Sequence, residues 1–254
     1  MILTSGNGKK LLIDCGSDIN KSLPELYQVS DIDAIYISHL HGDHMGGLEW
    51  FGFYNYFANN KRVINLYAHE SIADRLWEAL KVTMEVIHLS KKNIMSDYFN
   101  VIKVKDSFVF DDIDLKLIKV PHIHSLPKED TVYSYGLFIR DIECIITSYI
   151  TTDMSLWKDP KDVNSIGLLE YKRAMERANL VFHDGYPGTG VDVHPALSDL
   201  AKYGDEFKHK MLIYHCETSE KNEKMVKDLG FAGLMKKNTL LVFNNSGKVI
   251  ITQG

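Results

Sequence analysis

The 254-residue chain is 45% hydrophobic and 25% charged, a balance that suits a folded domain with a sizeable core and excludes a disordered chain. Its longest apolar runs, such as the one around Cys144 to Ile146, fall far short of the roughly 20 residues that a bilayer span needs, and the amino-terminal segment lacks the apolar core of a secretory signal. The formal net charge of −5, with Lys and Arg in scattered pairs, disfavours extended nucleic acid as a partner, and the short apolar runs disfavour a membrane. Cys15, Cys144 and Cys216 are odd in number and widely spaced, as in the reducing cytoplasm where such a protein is expected.

Taken in chain order, β-rich runs fall at Lys10 to Asp14, Ala34 to Ser38, Arg62 to Ala68, Ser107 to Phe110, Leu115 to Val120, Tyr135 to Ile139, Ile142 to Thr147, Leu180 to Phe182, Met211 to Tyr214, Leu240 to Asn244 and Val249 to Thr252. Helical spacing of apolar residues marks Leu48 to Phe57, Ser71 to Val82, Leu168 to Ala178, Ala196 to Tyr203 and Asn222 to Leu229. Hairpin turns are expected at Gly8-Lys9, Arg140-Asp141 and Gly247-Lys248. No repeat, low-complexity tract or linker interrupts the chain, so residues 1–254 read as one domain. Strands in bursts with helices between them predict two packed sheets with helices outside. The run before Lys10 is short, and the first strand is expected to be shortened.

The segment Ser38-His39-Leu40-His41-Gly42-Asp43-His44-Met45-Gly46-Gly47 directly follows an apolar strand. Three imidazoles and a carboxylate within six residues suit zinc or a neighbouring first-row metal, and a Gly-containing loop lets such close-spaced side chains converge. Packing alone does not account for that density. Three further ligand types follow later strands: His122 or His124 in Pro121-His122-Ile123-His124-Ser125, Asp153 after Thr151-Thr152, and His215 after Met211 to Tyr214.

His39, His41, Asp43 and His44 match the HxHxDH signature of the metallo-β-lactamase superfamily, and the flanking Ser-His-Leu-His-Gly-Asp-His-Met-Gly-Gly-Leu resembles its ribonuclease Z-like branch. The resemblance spans Leu11 to Cys216 and implies an αββα sandwich, an α/β fold of two mixed sheets with helices outside. By the same resemblance His39, His41 and His124 (or His122 in its place) hold a first metal, Asp43, His44 and His215 hold a second, and Asp153 bridges them. His124 is preferred because His124-Ser125-Leu126-Pro127 resembles the branch's third motif; His122 then orients a ligand. Val181-Phe182-His183-Asp184-Gly185 and Val193-His194-Pro195 resemble the segment supplying a general acid, which makes His194 that acid and Asp184 its orienter. His183 has no firm role, and His69, His88 and His209 read as ordinary residues.

Two divalent ions, Zn2+ by default with Mn2+ as the other option, would activate a water for hydrolysis. His41 stands where the redox branch carries a carboxylate, which disfavours oxygen chemistry. A protonated His194 suits expulsion of a ribose oxygen from a phosphodiester. His124 and Asp153 lie only about 29 positions apart, too few for the long arm of the branch's transfer-RNA-processing enzymes. The resemblance therefore implies a phosphodiesterase for a small nucleotide, 3′,5′-cyclic mononucleotides first, like the compact viral enzymes of the branch that degrade bacterial immune signals. Ribonuclease activity and lactone or thioester hydrolysis are the alternatives. A homodimer is implied by resemblance alone. The aromatic segment Phe51 to Phe57 reads as core or a dimer face before it reads as a base-stacking surface, and the loop from His88 to Phe99 with Lys91 and Lys92 reads as a solvated loop before a lid.

Overall fold

The computed structural model describes residues 1–87, 91–123, 131–141, 147–156, 166–188, 193–243 and 249–253. The chain divides into two compact units, Met1–Asp112 and Ile113–Gly254.

In the first unit, strands β1 (Ile2–Thr4), β2 (Lys10–Ile13), β3 (Ala34–Ile37), β4 (Ile64–His69) and β5 (Phe99–Val104) lie side by side in chain order, followed by β6 (Ser107–Phe110). β1 pairs antiparallel with β2, and the remaining neighbours of this five-stranded sheet are parallel. Every residue of β3 is buried, the pattern of a strand covered on both faces. Around the sheet run α1 (Ile19–Ser22), α2 (Gly42–Met45), α3 (Leu48–Phe53) and α4 (Glu70–Met84). α4 starts where the His69 side chain accepts a bond from Ser71 N, and it buries Ile72, Ala73, Leu76, Leu80 and Met84 at three- and four-residue spacing. α3 passes into a π turn, Tyr54–Ala58, so the aromatic segment divides: Phe51 is fully buried, while Tyr54 and Phe57 are exposed. Lys91 pairs with Asp97 and Lys92 with Glu85, as surface loop lysines do; His88 lies outside the described residues.

In the second unit, β7 (Ile113–Ile123), β8 (Val132–Asp141), β9 (Thr147–Ile150), β10 (Leu180–Asp184), β11 (Met211–Tyr214) and β12 (Gly233–Leu234) form a mixed sheet in the order β12-β11-β10-β9-β8-β7. β7, β8 and β9 are antiparallel neighbours; β9 through β12 run parallel. β13 (Thr239–Phe243) and β14 (Val249–Gln253) make a separate antiparallel hairpin. α5 (Ile166–Arg177), α6 (Leu197–Leu200), α7 (Asp205–Lys208) and α8 (Glu220–Asp228) complete the unit. Its core joins Ile118, Val120 and Val181 of the sheet to Tyr171, Ala174 and Met175 of α5 and Val226 of α8.

Several expectations shift. β1 is present though only three residues long, and β5 and β12 add to the runs read from the sequence. Arg140 and Asp141 belong to β8 and pair across to Asp114 and Ile113, so they are strand and not a turn. The run from Ile142 to Thr147 lies outside the described residues except for Thr147, which opens β9. Helix at Ala196 to Tyr203 shrinks to the single turn of α6. Residues 247 and 248 also lie outside the described residues, while the strands flanking them pair as a hairpin.

Glycine permits a close backbone contact between two loops of the first unit. The chain leaving β2 lies against the loop leaving β3: Cys15 N donates to His44 O at 2.7 Å and Gly47 N to Cys15 O at 2.9 Å. A Cβ on Gly16 would stand 2.1 Å from Asp43 O, and one on Gly47 2.3 Å from Gly16 O. At Gly42, by contrast, a Cβ meets nothing within 4 Å. Gly16→Ala is therefore expected to lower stability by about 1–3 kcal/mol and Gly42→Ala hardly at all, read as urea-unfolding midpoints; equal midpoints for the two variants would contradict this backbone contact.

Candidate metal centre

In parallel sheets the carboxyl ends of the strands are where side chains of several loops collect. In the first unit β2 leads into Asp14 and β3 into Ser38. Asp14 has a left-handed backbone, φ 60°, an uncommon conformation outside glycine that aspartate tolerates. Its Oδ1 accepts from Ser38 N at 2.8 Å; its Oδ2 accepts from Ser38 Oγ at 2.8 Å and lies 2.8 Å from His44 Nδ1. Ser38 Oγ is also 3.1 Å from His39 Nδ1.

These four groups settle the imidazole tautomers by donor counting. A carboxylate only accepts, so His44 Nδ1 carries a proton. The single hydroxyl proton of Ser38 goes to Asp14, so His39 Nδ1 must donate to Ser38 Oγ. Both rings therefore direct the lone pair of Nε2 away from this network, which is the nitrogen each offers a metal. The rings are neighbours: His39 and His44 have centroids 4.1 Å apart, and His39 and His41 4.7 Å. Asp43 Oδ2 is 3.5 Å from His44 Nε2. His39 and His44 are buried and Asp43 is exposed. The four residues of the HxHxDH segment thus converge, as their spacing led us to expect, while Asp14 and Ser38 were not singled out from the sequence. The only signal for Asp14 is an acidic residue directly after an apolar strand.

In the second unit, β9, β10 and β11 lead into Asp153, Asp184 and His215. Asp153 and Asp184 are 1% and 0% exposed, an arrangement that costs heavily unless the charge is compensated. Asp184 Oδ2 accepts from Met154 N at 3.1 Å and from His194 Nδ1 at 2.8 Å, and Asp184 N donates to Thr151 Oγ1 at 2.9 Å. His215, with φ 63°, holds Nδ1 3.6 Å from both Asp153 Oδ1 and Asp184 Oδ1. Asp153, Asp184, His194 and His215 can each present one ligand atom such that all lie within 4.8 Å of one another. Oxygen and imidazole donors in so tight a set, its two carboxylates buried and His215 exposed, fit a divalent first-row metal.

His122 joins this set. Pro121 pairs with Tyr133 and Ile123 with Val132, so His122 is the extra residue of a β-bulge, the device by which a strand re-aims one side chain. Its Nδ1 donates to Val193 O at 3.2 Å, and Nε2 lies 3.8 Å from Asp153 Oδ2. Its ring is 5.9 Å from that of His194, which is 4.9 Å from that of His215. His124 lies outside the described residues.

The electrostatics of the His194–Asp184 pair are one-sided. Burial pushes the Asp184 carboxyl up, but hydrogen bonds from His194 and His215 outweigh it and hold the group below the usual carboxylate range. The hydrogen bond to Asp184 raises His194 above the ordinary histidine value against a smaller opposing effect of burial. Such a pair favours the protonated imidazole next to these groups. Burial drives His183 the other way, to about 4, against the raising effect of Asp184, and burial together with the charge of Asp184 raises the Cys216 thiol to about 11; both shifts favour the uncharged side chain.

Residues 1–241 match the family described as Anti-Pycsar protein Apyc1. The Apyc1 protein of Paenibacillus sp. (strain J14) is 31% identical over 213 residues, covering 81% of this chain and 77% of its own. The Apyc1 protein of Bacillus phage vB_BveM-Goe7 is 32% identical over 227 residues, covering 84% and 80%. Among solved structures, the metallo-β-lactamase fold protein YhfI from Bacillus subtilis superposes with a TM-score of 0.66 at 18% identity, over 99% of this chain and 90% of that one. The fold is that of the metallo-β-lactamases.

Asp14→Asn keeps the shape of the side chain but puts an amide where His44 needs an acceptor. Divalent-metal affinity, measured by competition with a chromogenic chelator, is expected to fall about 10- to 100-fold. Wild-type affinity in this variant would show that Asp14 does not orient the histidines.

Proposed function

The chain belongs to the anti-Pycsar Apyc1 family and is a metal-dependent hydrolase of the metallo-β-lactamase fold, and from that premise we propose that it is a two-metal phosphodiesterase that opens 3′,5′-cyclic mononucleotides. The observation that carries the reading is the His194–Asp184 pair, 2.8 Å apart, set within the same cluster of ligand atoms as Asp153 and His215. A protonated imidazole beside metal ligands serves a reaction with a poor leaving group.

In this reading His39, His41 and His122 hold one ion, Asp43, His44 and His215 the other, and Asp153 serves both. His122 is preferred to His124 because the bulge in β7 turns it toward Asp153. Zinc suits the nitrogen and oxygen donor set, and manganese is the other candidate. Ions bound there would supply a water of lowered pKa and stabilise charge on the phosphoryl oxygens. The protein's own residues then divide the remaining work. Asp14 fixes the tautomers of His39 and His44 through Ser38. Asp184 keeps His194 protonated and aimed, and His194 delivers the proton to the departing ribose oxygen. With the oxygen of a water bonded to phosphorus as the ribose P–O bond breaks, and with that proton on the ribose oxygen, the diester has become a linear monophosphate.

A cyclic mononucleotide is favoured over RNA by the net charge of −5 and the short stretch between His124 and Asp153. Activated esters would not need His194. Among the described residues no helix is long and apolar enough to cross a membrane, and relatives from bacteria and phages support a bacterial or infected-cell cytoplasm as the setting. A homodimer is part of the proposal by likeness to the branch.

Incubated with cyclic purine and pyrimidine mononucleotides, the metal-loaded protein is expected to yield linear monophosphates, and Asp43→Ala to yield none. Intact cyclic nucleotides together with cleavage of a precursor transfer RNA or a lactone would overturn the assignment. Because His194 acts in its protonated form, turnover falls as pH rises through its pKa. Asp184→Asn removes the charge that raises this pKa, so the alkaline limb is expected at lower pH; an unmoved limb would contradict the roles of both residues.

A further inference from the structure

β10 carries His183 and Asp184 in succession, so their side chains leave opposite faces of the sheet. Asp184 goes to His194. His183, 0% exposed, goes to the layer of α5, where its Nε2 lies 2.7 Å from Tyr171 Oη. The rings meet edge to face, with centroids 5.8 Å apart and planes at 82°. His183 Nδ1 lies 2.6 Å from the backbone oxygen of Asp184.

The direction of these bonds follows from chemistry. A carbonyl only accepts, so Nδ1 carries the proton, Nε2 accepts, and Tyr171 donates. The low pKa of His183 agrees with a ring held in this neutral form. Tyr171 Oη is in turn 3.4 Å from Tyr203 Oη. The surroundings are apolar, with Met175, Val181 and Ile213 in the same core, and there a polar pair is costly unless every member is satisfied.

The carbonyl that His183 grips stands at a junction. Immediately after it, Gly185 has no room for a Cβ, which would lie 2.9 Å from Leu197 Cδ2 and 3.0 Å from Ile213 Cγ2. Tyr186 then bridges to Ala196: Tyr186 N donates to Pro195 O at 2.8 Å and Leu197 N to Tyr186 O at 2.9 Å. The strand carrying Asp184 is thereby tied to the segment carrying His194, with the Asp184 carbonyl between them.

We propose that Tyr171 and His183 are positioning residues for the proton-donating pair: by holding the Asp184 carbonyl they set the angle at which the Asp184 carboxylate meets His194. This rests on His194 being the acid that serves a poor leaving group. Asp184 Oδ1 also lies 3.6 Å from His215 Nδ1, but the part of the effect that passes through His194 is the part that depends on the leaving group. Small misplacement of an acid is costly only where the acid is needed.

The test compares a cyclic mononucleotide with bis(p-nitrophenyl) phosphate, whose leaving group departs without a proton. His194→Ala comes first, because similar losses on both diesters would refute the acid role itself. With the acid role standing, Tyr171→Phe is expected to lower the ratio of cyclic-nucleotide to activated-diester turnover about tenfold through kcat, with KM kept. In the Tyr171→Phe and His194→Ala double variant the ratio should equal that of His194→Ala alone. Equal losses on both diesters in Tyr171→Phe, no loss, or additive losses in the double variant would overturn the proposal. Should Tyr171→Phe fail to fold, Tyr203→Phe, at the half-buried end of the chain of hydroxyls, is expected to lower the same ratio to a smaller degree, and an unchanged ratio there would count against it.

Discussion

One carboxylate, Asp14, decides what the histidine-rich loop can do. It accepts from Ser38 N, Ser38 Oγ and His44 Nδ1, and through the serine it also fixes His39. An imidazole offers a metal whichever nitrogen its other partner leaves with a lone pair, so the partner selects the ligand atom. With Asp14 in place, His39 and His44 both offer Nε2. The loop owes its path to the same corner of the fold: Gly16 and Gly47 let the chain beyond β2 lie against the chain beyond β3 without a Cβ between them, which brings Asp14 up to Ser38 and His44.

The second unit repeats this logic with Asp184. Fully buried at the end of β10, it takes a backbone bond from Met154 and one from His194 Nδ1. Here the hydrogen bond to Asp184 raises the pKa of the fixed imidazole, which suits the proton-donating role proposed for it. Two aspartates at strand ends therefore fix two sets of histidines: rings whose Nε2 is left to face a metal, and a ring whose charged form its partner favours. The proposed hydrolysis of a phosphodiester uses both.

The chemistry was more legible in the sequence than the scaffold beneath it. His39, His41, Asp43 and His44 announce themselves by density, since few other pressures put four ligand types within six residues. Asp153, Asp184 and His215 stand at or after strand ends and His194 before a helical pattern, and all four were singled out from the sequence. Asp14 escaped because a single acidic residue after Leu11-Leu12-Ile13 is ordinary at the end of a strand, and its partners lie more than twenty positions away. His122 was placed second to His124 in the sequence; the bulge that re-aims its side chain leaves no mark in the alternation that strand reading assumes. β5 escaped because Phe99-Asn100-Val101-Ile102-Lys103-Val104 follows a loop rich in lysine and serine and mixes its exposed and buried positions. His183 carried no motif of its own; its role comes from Tyr171, distant enough in sequence that only the fold pairs them.

The central claim, that Asp14 and Ser38 present His39 and His44 to metal through Nε2, is tested most directly by long-range 15N NMR of the histidine rings with and without 113Cd2+. The account predicts Nδ1-protonated tautomers for both residues in the metal-free protein and 113Cd–15N coupling at Nε2 after loading. Protonated Nε2 in the free protein, or coupling through Nδ1 of either ring, would contradict it.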